Sequence, residues 1–175
     1  DPLPEADAYY FGGGYPELFI RELEANDHMR EALREVSKNG TPIYAECGGL
    51  MYLTEKMTLK KGWQGSAADQ SSAMCGVFAG ETRMPARRVV SYVEGSSDAV
   101  SPMGRASFRG HEFHYSDVAL DHNTRFAYRL FRGVGIRNNL DGALVHNTLG
   151  SYTHLHPVAS TGMFRHFIGL CREKR

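Results

Sequence analysis

Short apolar runs separated by turn signals divide the chain into a front part mixing strands with helices and a longer back part of strands. Ala8 to Phe11 ("AYYF") predicts a strand, and "GGGYP" ends it, because clustered glycine and proline punctuate regular structure. Glu17 to Asn39 predicts helix, with Leu18, Leu23, Met29, Leu33 and Val36 as apolar positions and a break near "ANDHM" that makes two helices. "TPIYAE" is a second strand, and "GGLMYLTEKM" opens a helix directly after Cys47. Residues 60–72, "KKGWQGSAADQSS", are polar and glycine-containing and read as a loop or flap. "CGVFAGETRM", "RRVVSYVEG", "ASFRGHEFHYSDVAL", "FAYRLFRG" and "DGALVHNTLGSYTHLH" read as strands, and residues 162–171, "GMFRHFIGLC", as a closing helix.

This order predicts an α/β sheet with helices on both faces and antiparallel strands extending one side. Open α/β sheets bind ligands beyond the carboxyl ends of their strands, where both the GGGYPE and ECGG turns fall. Cys47 sits at the second of these bends. A strand-to-helix elbow pushes its apex residue out of the sheet, and the small neighbours it requires are Gly48 and Gly49. The amino end of the next helix also favours a thiolate, the attacking form of cysteine. A buried core cysteine is the alternative at Cys47; for Cys75 and Cys171, which lie in apolar runs, core packing is the expectation.

Composition narrows the function classes. At 175 residues the chain fits one domain, able to bury roughly 70% of its unfolded surface without staples. Apolar residues make up 42% and charged residues 23%, as in an ordinary globular protein. Twenty basic residues balance twenty acidic ones, so no bulk field attracts nucleic acid or an anionic membrane. No apolar run reaches membrane-span length. Three widely spaced cysteines argue against a disulfide framework and for a reducing, cytoplasmic setting. The ends "DPLPEAD" and "CREKR" read as a boundary cut and a polar tail, so a domain of a larger enzyme is expected.

A cysteine nucleophile needs a base and donors for the developing oxyanion. The late histidine cluster, "GSYTHLHPVAS", offers His154 and His156 as bases, and backbone N–H groups of Gly13, Gly14 and Gly48 are the candidate donors. Within "RGHEFHYS", strand alternation puts His111, Phe113 and Tyr115 on one face and Glu112 and His114 on the other. His111, Glu112 and His114 line the pocket or form a structural polar cluster beside it. Their spacing is unlike H-E-x-x-H, so no metal site is assigned. Glu17 is a pocket candidate or a plain helix-start acid.

"YYFGGGYPEL", "YAECGGLMYL", "FRGHEFHYS" and "LGSYTHLHP", in this order and spacing, resemble the C-terminal glutaminase domain of the cobyrinic acid a,c-diamide synthases, a class I (triad-type) glutamine amidotransferase. The resemblance runs over nearly the whole chain and implies one glutaminase domain over residues 1–175. It implies a flavodoxin-like α/β fold with a mostly parallel central sheet. The implied activity is hydrolysis of L-glutamine through a thioester on Cys47, with His154 as its partner because the family's G-[ST]-Y-x-H pattern lands there; His156 is the runner-up. Ammonia would pass to an N-terminal synthetase domain, absent from this chain, that binds ATP and magnesium and amidates the a and c acetates of a tetrapyrrole. No cofactor is expected in the present domain, no P-loop motif occurs, and a homodimer is left open.

Many class I enzymes place a carboxylate two residues after the catalytic histidine. Here that slot holds His156, or Val158 if His156 is the base, and no acidic residue lies between Asp141 and Glu173. The family implies a Cys–His dyad, with a backbone carbonyl as the expected partner of the imidazole. A close variant would amidate nickel sirohydrochlorin. Readings from other classes are a stand-alone cysteine hydrolase or peptidase and a non-catalytic docking module.

Overall fold

A computed structural model describes residues 2–173. Strand β1 (Tyr9–Phe11) leads through the glycine turn and a 3-10 turn at Pro16–Leu18 into α1 (Ile20–Ala25) and α2 (Asp27–Lys38). The break between the helices falls at Asn26, whose side chain accepts from the Met29 N–H and so caps α2, as "ANDHM" predicts. The helix itself starts at Ile20 and not at Glu17, leaving Leu18 exposed instead of on an apolar face.

Strand β2 (Ile43–Glu46) is buried throughout and ends at Cys47, from which α3 (Gly48–Leu53) starts. α3 is shorter than expected, because "TEKM" begins β3 (Thr54–Leu59). Met57 and Leu59, both buried, alternate with polar Lys56 and Thr58 at the period of a strand, and the Thr54 hydroxyl closes the helix on the Met51 carbonyl. The expected flap at residues 60–72 holds a short 3-10 turn, and its last residues enter β4 (Gln70–Ala73). Then follow β5 (Phe78–Met84), β6 (Val89–Ser97), β7 (Ala106–His114), β8 (Asp117–Leu120), β9 (Arg125–Arg132), β10 (Leu140–Val145), β11 (Thr148–Ser151), β12 (His154–Leu155) and α4 (Thr161–Glu173).

Among the described residues, one sheet has the order β1-β2-β11-β10-β9-β6-β7-β12 and a second has β4-β3-β5-β8. The α/β class holds, but parallel pairing in the large sheet is confined to β1–β2 and β2–β11; every other neighbour is antiparallel. The reason is connection length. Parallel neighbours need a crossover, which α1 and α2 supply between β1 and β2, whereas the short turns joining β9, β10 and β11 return the chain antiparallel.

Alternation along β2 splits the interior. Ile43 and Ala45 face a core with Leu33, Leu50, Leu53 and the second sheet, while Tyr44 faces a core closed by Met163 and Phe167 of α4. Helices therefore cover both faces of the large sheet at this point, and both the β1 and β2 ends open on the same rim. No helix among the described residues is long and apolar enough to cross a membrane.

Candidate active site

Cys47 adopts φ 46° and ψ −100°, a left-handed conformation costing a β-carbon-bearing residue roughly 1–3 kcal/mol. Long-range contacts hold it there. Its N–H donates to the Ser151 carbonyl at 2.7 Å, continuing the β2–β11 pairing past the strand end. The glycine turn after β1 packs directly on the start of α3: a β-carbon on Gly48 would stand 2.7 Å from the Gly14 carbonyl oxygen, and one on Gly49 2.7 Å from that of Phe11. Glycine is required at both places by close approach of another backbone.

The residue is 7% exposed, yet it lines a cavity of 960 Å³ with Gly13, Gly14, His111 and His154. His154 arrives from β12, which pairs with β7 so that His154 lies opposite His111. Their rings stack at 4.9 Å and 11°. The other side of the imidazole is closed by Gly13, where a β-carbon would stand 2.5 Å from His154 Cε1. The ring is thus clamped between a glycine and a second histidine. Hydrogen bonding to Cys47, and then to Glu46, pushes the His154 pKa up to about 9. His111 is held low by burial and by the charge of His154, so it serves as a neutral stacking surface.

The partner of the imidazole is not a backbone carbonyl. Nδ1 of His154 lies 3.6 Å from Oε2 of Glu46, an ion-pair distance beyond that of a good hydrogen bond. The Glu46 carboxylate is 3% exposed and accepts from the Tyr10 hydroxyl (2.9 Å), the Tyr44 hydroxyl (2.6 Å) and the Leu155 N–H (3.0 Å). Burial pushes this carboxyl up, but the hydrogen bonds from His154, Tyr44, Leu155 and Tyr10 outweigh it and hold the group below its ordinary range.

The remaining candidates separate. His156 is exposed, and the cavity is lined without it. Glu112 shares the cavity wall, but its carboxylate accepts from the N–H groups of Val134 and Gly135 and so braces the β9–β10 loop. His114 stacks on Tyr152 at 3.6 Å, and its Nδ1 is 3.0 Å from the Ser116 carbonyl; burial holds its pKa low. Glu17, 7% exposed, lines a small inner cavity with Cys47, Gly14 and His114, and burial raises its carboxyl. As alternation requires, Glu112 and His114 point inward and Phe113 and Tyr115 outward.

Sequence reasoning passed over three residues. Glu46 stands beside the cysteine and carries the one charge of an otherwise apolar buried strand, a signal that was available. Asp141, fully buried, accepts from the Tyr152 and Thr153 N–H groups and the Thr153 hydroxyl, and so fixes the turn that delivers His154. Arg132 places a cation in the wall of the large cavity.

The architecture is that of a glutamine amidotransferase. Similar folds are found in the PurLQS structure from Thermotoga maritima (TM-score 0.62, 11% identity, 97% of this chain and 82% of that one). A crystal structure of a glutamine amidotransferase matches equally well (TM-score 0.62, 17% identity, 95% and 79%). The chain belongs to the CobB/CobQ-like glutamine amidotransferase domain family, whose sequence model matches residues 1–161. The cobyrinate a,c-diamide synthase of Methanosarcina acetivorans is 50% identical over 168 residues, covering 91% of this chain and 34% of that protein. That of Archaeoglobus fulgidus is 36% identical over 176 residues, covering 99% and 37%. The chain spans about a third of the length of the curated relatives it matches.

Proposed function

We propose that residues 1–175 form the glutaminase domain of an a,c-diamide synthase and release ammonia from L-glutamine for ATP-dependent amidation of cobyrinic acid. The observation that carries this reading is Cys47, on a left-handed elbow beside an imidazole clamped by Gly13 and His111, at the wall of a cavity large enough for an amino acid.

In this mechanism the Cys47 thiolate attacks the side-chain amide carbon of glutamine. N–H groups of Gly13, Gly14 and Gly48 are the donors for the developing oxyanion, each worth on the order of 10²–10³ in rate. His154, protonated at neutral pH because its pKa is about 9, gives its proton to the departing nitrogen, and the carbon–nitrogen bond breaks to leave ammonia and a γ-glutamyl thioester. His154 then takes a proton from water as that water attacks the thioester. The carbon–sulfur bond breaks, glutamate leaves with its carboxyl proton lost to solvent, and the Cys47 thiolate beside a protonated His154 is restored. Arg132, in the wall of the large cavity, offers a cation for the α-carboxylate of the substrate. ATP and magnesium belong, in this reading, to the two-thirds of the relatives' length that the chain does not span, and no residue here is assigned to them. The relatives' name supports cobyrinic acid over nickel sirohydrochlorin as acceptor.

The test is covalent capture. A diazoketone analogue of glutamine should label Cys47 alone, with glutamine protecting against it. Label on Cys75 or Cys171, or protection by peptides and not by glutamine, would overturn the reading.

A further inference from the structure

We infer that Glu46 is the positioning carboxylate of the His154 imidazole, a third member of the catalytic group supplied by the residue before the nucleophile and not by the segment after the histidine. The inference rests on the glutaminase reading above. Alternation along β2 puts Glu46 on the face of Tyr44, away from Ile43 and Ala45, so its side chain reaches towards β12 while Cys47 turns into the cavity. A carboxylate has about four lone-pair directions. Three are filled by Tyr10, Tyr44 and the Leu155 N–H, donors whose positions are fixed by β1, β2 and β12. The fourth faces Nδ1 of His154 at 3.6 Å, within reach of a hydrogen bond after a small closure. With Nδ1 turned to Glu46, Nε2 is the nitrogen left for the sulfur.

The same carboxylate holds the ring and, through Leu155, the backbone next to it. A negative charge at Nδ1 fixes the tautomer and stabilises the imidazolium that must form when Cys47 is a thiolate. The groups facing His154 are Cys47 from the elbow, Glu46 from β2 and His111 from β7, with His114 acting at longer range. Tyr10, Tyr44 and Tyr128 face Glu46 and stay neutral, because burial raises all three. Among the described residues, Glu46 is therefore the one group around the ring that stabilises its positive charge besides the sulfur. The sign follows: removing the charge of Glu46 lowers the pH at which His154 loses its proton.

The experiment uses the intact protein with labelled histidine and needs no turnover for its first arm. In Cys47→Ala, where the sulfur contributes nothing, His154 should titrate by NMR above the free-imidazole value of about 6.5, and adding Glu46→Gln should bring it to that value or below. In the second arm, Glu46→Gln alone should lower kcat for glutamine hydrolysis about 10–100-fold with KM within about twofold, and move the alkaline limb about one pH unit lower. Glu46→Asp, which keeps the charge, should shift that limb less. A His154 in Cys47→Ala that titrates at or below the free value, or Gln and Asp variants that lose activity equally with an unmoved limb, would make Glu46 a brace for β12 and overturn the inference. A wild-type protein that releases no ammonia from glutamine would instead sink the glutaminase reading, while the titration still decides the role of Glu46.

Discussion

Cys47 and Cys75 are both free, both nearly inaccessible at 7% and 0% exposure, and both belong to the same apolar core. Cys75 follows β4 in ordinary surroundings: its N–H donates to the Tyr52 carbonyl, its carbonyl accepts from Arg34, and burial pushes its thiol up to about 12. It is a packed hydrophobe with an inert sulfur. Cys47 differs in what adjoins it, a cavity on one side and a charged imidazole within hydrogen-bonding reach. Burial dominates at Cys75 even though Arg30 and Arg34 oppose it; at Cys47 the elbow instead sets the sulfur on a cavity wall beside the His154 imidazole.

The contrast can be broken most decisively at the sulfurs. Cys47→Ala should reduce glutamine hydrolysis about 10⁴-fold or more in a steady-state ammonia assay, while Cys75→Ala should leave turnover within about twofold. Next in size come the histidines: His154→Ala should cost about 10²–10⁴ in kcat, and His156→Ala less than about threefold, since His156 is outside the cavity. Equal losses would undo the assignment. Gly13→Ala tests the clamp, because its new methyl would displace the His154 ring, and a misplacement of about 1 Å can cost about 10²-fold in kcat. The smallest effect belongs to the quiet cysteine. Cys75→Ala should lower unfolding stability by about 1 kcal/mol in urea titrations, a packing loss that sets the scale for a cysteine without chemistry.

Much of this arrangement was legible in the chain. The elbow could be read from "ECGG" because two glycines after a short buried strand leave the backbone few other paths, and Gly48 and Gly49 do meet the turn after β1. The inward and outward faces of "HEFHYS" followed from the period of a strand. Less legible was the direction of pairing. The family resemblance implied a mostly parallel sheet, yet in the large sheet only β1, β2 and β11 run parallel, since turn length between later strands, and not their composition, sets their direction. The last three residues of the expected flap, 70–72, and the tail of α3 form strands for a related reason: short polar segments become strands when a neighbour offers an edge, as β3 does to β4.

The sequence by itself therefore determined the local geometry: where the backbone bends, which residues are small enough to be crossed, and which side chains share a face. Those properties depend on neighbours within a few positions. Only the tertiary structure decided that Glu46 and Asp141 serve His154, that His111 lies beneath its ring, and that Glu112 is committed to a loop. These pairings join residues that are far apart in the chain, and they are selected because buried polar groups must find partners wherever the packed sheet brings them.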